Sequence, residues 1–182
     1  MSHIDEMLKF NKRFVAERQY EAYPSTKRPA KGIAVLSCMD ARLTEILPAA
    51  LDFHNGDVHI IKNAGALISH PFGSVMRSLL LAVYELGVRD IIVVGHYDCG
   101  VQGMDAKRLT ERMTARGVAP DTLDFMRYCG VDIEGWLGGF ESAEGAVRQT
   151  VGIIKGHPLI PADVGVRGFL MDPETGRLDG VV

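Results

Sequence analysis

Two apolar runs without alternation constrain this chain most: "IAVLS" at 33–37 and "RDIIVVGH" at 89–96. A strand with one wet face alternates apolar and polar residues. A strand covered on both faces reads as a continuous apolar run and needs helices above and below it. Between the two runs, "DVHIIKNAGA" (57–66) reads as another strand entering a glycine loop. Val75, Leu79, Val83 and Leu86 recur at helical spacing within 73–87, where Gly87 is a stop signal. Residues 43–51 also read as helical. The order strand, helix, strand, helix, strand predicts an α/β fold around a mostly parallel sheet.

The rest of the chain extends this pattern. Residues 101–157 are polar, helix-prone and interrupted by glycines, with a break expected at "EGWLGGF". A helix is expected over 142–158, ended by Gly156 and Pro158, then a fourth strand over 163–172. "DPETG" is a turn, and "RLDGVV" predicts a short hairpin return.

At the N-terminus, Ser2 and Asp5 have capping-box spacing, and Ile4, Met7, Leu8, Phe14 and Val15 follow at helical intervals. This predicts an amphipathic helix to about residue 20. The loop "YPSTKRPAKG" (23–32) sets residues 1–22 apart as an arm. An arm with an apolar stripe needs something to lie on, such as a second subunit. The length of 182 residues fits one domain, 1–182.

Composition narrows the function classes. A formal charge of -3, with both signs mixed along the chain, gives no basic footprint for nucleic acid or an anionic membrane. The first residues are too charged for a signal-peptide core, and no apolar stretch approaches the ~20 residues of a membrane span. Three cysteines are too few and odd in number for a disulfide scaffold. A reducing cytoplasm is therefore the expected compartment.

The thiols fall where chemistry would be expected. In an open parallel sheet, sites form outside the carboxyl ends of the strands. Cys38 follows one apolar run; His96 and Cys99 follow another. If those strands are neighbours, the three side chains converge at one rim. Thiolate and imidazole suit zinc, and three protein ligands leave the open fourth position of a catalytic site. Asp40 and Arg42 lie two and four residues after Cys38. Asp40 could take the fourth position and shut the site. Alternatively it could pair with the planar fork of Arg42 and stay off the metal.

A cysteine-centred phosphate loop of the C-x5-R kind does not fit, because Arg42 is four residues from Cys38, not six. "KNAGALISHPFG" (62–73) lacks the nucleotide-loop spacings, so Asn63 and Gly65 are read as lining the site. Cys129 is read as a free, buried or semi-buried thiol. His59 is read as a strand residue, and His3, His54, His70 and His157 as surface or loop residues.

C-x-D-x-R ("CMDAR", 38–42), then "NAGA" (63–66), then H-x-x-C-G ("HYDCG", 96–100) resembles the β-class carbonic anhydrases, across about residues 1–175. The resemblance implies a mostly parallel four-stranded sheet flanked by helices, an N-terminal helical arm and a short C-terminal antiparallel strand. It implies a homodimer, able to pair into a tetramer, whose arm embraces the partner. Cys38, His96 and Cys99 would hold one zinc ion per subunit. Asp40 and Arg42 would form the dyad, with Asp40 a fourth ligand in a closed form, and the Gly100 N–H would face bicarbonate.

The implied activity is reversible hydration of carbon dioxide to bicarbonate by a zinc-bound hydroxide. Alternatives are hydrolysis of CS2 or COS at the same site, a non-catalytic zinc-stabilised dimer, or a thiol redox protein. Gln102 is misplaced for the substrate-binding glutamine of some members.

Overall fold

A computed structural model describes residues 2–182. Four parallel strands form the sheet: β1 (Ile33–Cys38), β2 (Val58–Asn63), β3 (Asp90–His96) and β4 (Gly165–Met171). The fifth, β5 (Leu178–Gly180), runs antiparallel to β4, and the spatial order is β2-β1-β3-β4-β5. The expected four-stranded parallel core and hairpin return are both present. β1 is an interior strand between β2 and β3, so its continuous apolar run is explained: Ala34, Val35 and Leu36 are fully buried. Burying a side chain such as Leu36 contributes about 1.5–3 kcal/mol.

The two faces of the sheet build two clusters. Ala34, Leu36, Ile91, Val93 and Val166 pack with α3 (Ser74–Tyr84) and α7 (Ala143–Lys155). Val35, Val94 and Met171 pack with Leu43 and with Leu47 of α2 (Ile46–Ala50). Cys38 and Cys99 belong to this second cluster.

Several details depart from the sequence reading. The helix expected over 43–51 is divided into a 3-10 turn, Ala41–Leu43, and the short α2. The Asp40 carboxylate caps the 3-10 turn by accepting from the Arg42 backbone N–H at 2.9 Å. The first helix, α1 (His3–Ala16), ends four residues early, at a left-handed Arg18, before a 3-10 turn over Gln19–Ala22. Its capping box forms as expected: Ser2 Oγ accepts from the Asp5 N–H, and Asp5 accepts from the Ser2 N–H. Cys129 is exposed rather than buried, because it caps a surface helix, α5 (Pro120–Tyr128). His157 is buried rather than on the surface: its Nδ1 accepts from the Leu159 N–H at 3.2 Å and its ring meets the Phe72 ring edge-on.

The glycine-interrupted stretch after Gly100 is a helical excursion containing α4 (Ala106–Ala115), α5 and α6 (Ile133–Leu137). A neck closes it. The Gly103 N–H donates to the Phe140 carbonyl and the Gly139 N–H to the Met104 carbonyl, each at 2.9 Å. Gly139 is required there, since a Cβ would sit 2.0 Å from the Val101 carbonyl oxygen. No helix among the described residues is long and apolar enough to cross a membrane.

Candidate metal centre

β1 and β3 are adjacent and parallel, with Ser37 opposite Val94. Their carboxyl ends therefore emerge side by side, carrying Cys38 and His96. The chain then turns through Tyr97 and Asp98, and the left-handed backbone of Asp98 (φ 53) brings Cys99 back beneath His96. Aspartate tolerates that conformation better than most residues. The donor atoms of Cys38, His96 and Cys99 all lie within 4.8 Å of one another, and the two sulfurs are 3.9 Å apart.

The imidazole shows what this cluster is suited to hold. His96 Nδ1 donates to the Tyr97 carbonyl at 2.8 Å, which puts the ring proton on Nδ1 and leaves a lone pair on Nε2. Nε2 is buried and has no hydrogen-bond partner. A buried acceptor left unpaired costs about 1–3 kcal/mol. Two soft sulfurs and one oriented nitrogen fit zinc in type and number.

Electrostatics divides the thiols. Burial alone would push the Cys38 thiol up. The neighbouring His96 ring and the backbone N–H groups of Asp40 and Gly65 outweigh it and bring Cys38 down to about 7. For Cys99, burial dominates and raises the thiol. The Gly65 N–H lies 3.4 Å from Cys38 Sγ. Gly65 adopts φ +83 inside the 3-10 turn after β2, and a Cβ there would stand 3.0 Å from Cε1 of Phe140.

Asp40 stands beside the cluster, its Oδ2 3.8 Å from His96 Nε2. Arg42 grips it with both arms of the fork: Nε donates to Oδ1 at 3.0 Å and Nη2 to Oδ2 at 2.9 Å. This pairing holds the Asp40 carboxyl down at about 2. Arg42 also reaches the other turn. Its Nη2 donates to the Asp98 carbonyl at 2.9 Å and its Nη1 to Asp98 Oδ2 at 3.0 Å. One guanidinium thus clasps the two segments that carry the thiols. Sequence reasoning passed over Asp98; the signal available was an aspartate, a residue tolerant of the left-handed region, between His96 and Cys99.

The remaining candidates divide by what their polar groups already do. Both ends of the Asn63 amide are taken up by Leu67: Nδ2 donates to its carbonyl at 2.6 Å and Oδ1 accepts from its N–H at 3.1 Å. Asn63 therefore shapes the loop that presents the Gly65 N–H. Gly100 follows Cys99 directly, and nothing stands within 4 Å of where its Cβ would be. Gln102 donates to the Glu141 carbonyl at 3.1 Å, as part of the neck.

Fold and site together define a parallel α/β protein with a Cys–His–Cys donor set at the strand ends and an Asp–Arg pair beside it. Known proteins share that combination. The carbonic anhydrase family profile matches residues 33–178. The chain is 48% identical over 182 residues to the provisionally named carbonic anhydrase YtiB of Bacillus subtilis, covering 100% of this chain and 97% of that protein. It is 28% identical over 160 residues to a carbon disulfide hydrolase of Acidithiobacillus thiooxidans, covering 81% of this chain and 71% of that one. Its fold superposes on the crystal structure of β-carbonic anhydrase isoform I from Trichomonas vaginalis with a TM-score of 0.91 at 28% identity, covering 100% and 98% of the two chains. The chain belongs to the β-carbonic anhydrase family.

Proposed function

We propose that this chain hydrates carbon dioxide reversibly at one zinc ion per subunit, held by Cys38, His96 and Cys99. The observation that carries the reading is the buried lone pair on His96 Nε2, without a protein partner and facing two thiols. Zinc bound there would supply a water of lowered pKa, ~7 in the all-histidine enzymes and higher where two thiolates cancel the ion's charge.

The protein groups do the rest. Arg42 holds the Asp40 carboxylate in a two-point grip, so that it stays ionised and accepts a hydrogen bond from solvent in the cleft. The same carboxylate is close enough to His96 Nε2 to take the fourth position if it leaves Arg42, which makes the pair a gate. The Gly100 N–H, at the open edge of the site, donates to the product anion, and Asn63 and Gly65 hold the wall opposite.

A homodimer completes the reading, and the N-terminal arm supports it. None of α1 is buried, and Ile4, Met7, Leu8, Phe10 and Val15 are all at least half exposed. A second copy of the chain would cover that stripe. A reducing cytoplasm is the setting in which two free thiols 3.9 Å apart persist as ligands.

A second reading, hydrolysis of CS2 or COS, is favoured by the carbon disulfide hydrolase among the relatives. Stopped-flow hydration of CO2 across pH 7 to 9 on metal-quantified protein, with parallel assays on COS and CS2, separates the two. The proposal expects CO2 turnover that climbs with pH. Turnover of the sulfur substrates alone would replace it with the second reading.

A further inference from the structure

Arg42 is shared by two carboxylates, and the consequences for them differ. Asp40 is four-fifths buried and lies beside the donor cluster; Asp98 is 89% exposed. The backbone N–H of Arg42, its Nε and one Nη2 proton go to Asp40; the other Nη2 proton and one Nη1 proton go to Asp98. If Asp40 swings toward the metal, the contacts to Asp98 remain and the guanidinium keeps both its place and a counter-charge. We infer that Asp98 is a positioning residue that sets how readily Asp40 leaves Arg42 for the fourth metal position. The inference rests on the gate in the proposed function.

The sign follows from Coulomb's law. A negative charge 3.0 Å from Nη1 partly neutralises the guanidinium and weakens its hold on Asp40. With the charge removed, Arg42 faces Asp40 alone and retains it, so the site stays open more of the time. Asp98→Asn keeps an acceptor and removes the charge. Asp98→Gly removes both. Each tolerates the left-handed backbone at this position, and the carbonyl contact to Arg42 survives in both. The two variants should therefore behave alike.

The test measures metal release rather than turnover. Zinc-loaded wild type, Asp98→Asn, Asp98→Gly and Asp40→Asn are mixed at one fixed pH with the chromogenic chelator 4-(2-pyridylazo)resorcinol, and the rate of zinc transfer is read. Asp40→Asn, which has lost its carboxylate ligand, is the permanently open reference and should release zinc fastest. Both Asp98 variants should release zinc about two- to fivefold faster than wild type, the size one exposed ion pair allows. The visible band of the cobalt-substituted Asp98 variants should shift toward that of Asp40→Asn.

If wild type and Asp40→Asn release zinc equally, the gate itself fails. If those two differ but the Asp98 variants match wild type or are slower, the gate stands and this inference is overturned. Acceleration in Asp98→Gly alone overturns it too, since that would trace to the lost acceptor and not to charge.

Discussion

Oδ2 of Asp40 lies 3.8 Å from Nε2 of His96, while Arg42 grips the same carboxylate from the other side. A carboxylate in that place would be pulled two ways once a cation is held by His96, toward the ion and toward the guanidinium. The second pull, hydrogen bonding to Arg42, holds the Asp40 carboxyl down at about 2.

That depression makes the Asp40–Arg42 pair a pH-dependent source of stability. The group titrates lower when folded than the ~3.9 of an unfolded aspartate. Its contribution is therefore fully present above pH ~4 and is lost as pH falls through about 2. In zinc-stripped protein, Asp40→Asn should lower stability by about 1–2 kcal/mol at pH 6, and the two proteins should converge near pH 2. Urea unfolding at each pH reads this directly; a gap that stays constant with pH would contradict it.

Gly65 combines a positive φ with a close neighbour. An alanine there takes on a left-handed backbone costing about 1–2 kcal/mol and a Cβ 3.0 Å from the Phe140 ring. Gly65→Ala should destabilise the fold by about 1–3 kcal/mol. It should also weaken metal retention, because its N–H supports the Cys38 sulfur. Urea melts and zinc content after dialysis check the two effects; unchanged values in both would show the loop to be indifferent to this residue.

Asn63 is expected to act on the loop. Truncation to alanine removes both hydrogen bonds to Leu67 and should cost about 1–3 kcal/mol of stability. In a steady-state assay kcat and KM for CO2 should change together only as far as the loop shifts. A large rise in KM at unchanged stability would mean instead that the amide binds substrate.

The arm should carry assembly. Leu8 is 58% exposed on the apolar stripe of α1. Leu8→Glu should shift the protein to monomers in sedimentation velocity while the zinc content of the described cluster is kept. Dimers of unaltered stability would show that the subunit interface lies elsewhere.

What could be read from sequence was set by how local the determining physics is. β1 and β3 were legible because burial on both faces writes a continuous apolar run, and their strand ends placed Cys38, His96 and Cys99 at one rim. The short α2 was overcalled as a longer helix because the side-chain cap from Asp40 tightens the preceding residues into a 3-10 turn, a competition that apolar spacing does not record. Cys129 is exposed because it sits at the C-terminal cap of α5, on the surface, which local composition does not record. His157 is buried by tertiary packing that apolar spacing does not record; one of its neighbours is Phe72, 85 positions away in the sequence. Asp98 was missed for a related reason: its importance lies in a contact 56 positions away, with Arg42. The neck at Gly139 is likewise a long-range backbone approach.

The most direct test of the whole account is the zinc content of purified protein, measured by elemental analysis on wild type and on Cys38→Ser and His96→Ala variants shown by circular dichroism to be folded. The account predicts one zinc per chain in wild type and a large loss in each variant. Wild-type protein purified without chelators that carries no stoichiometric metal, or variants that keep a full equivalent, would contradict it.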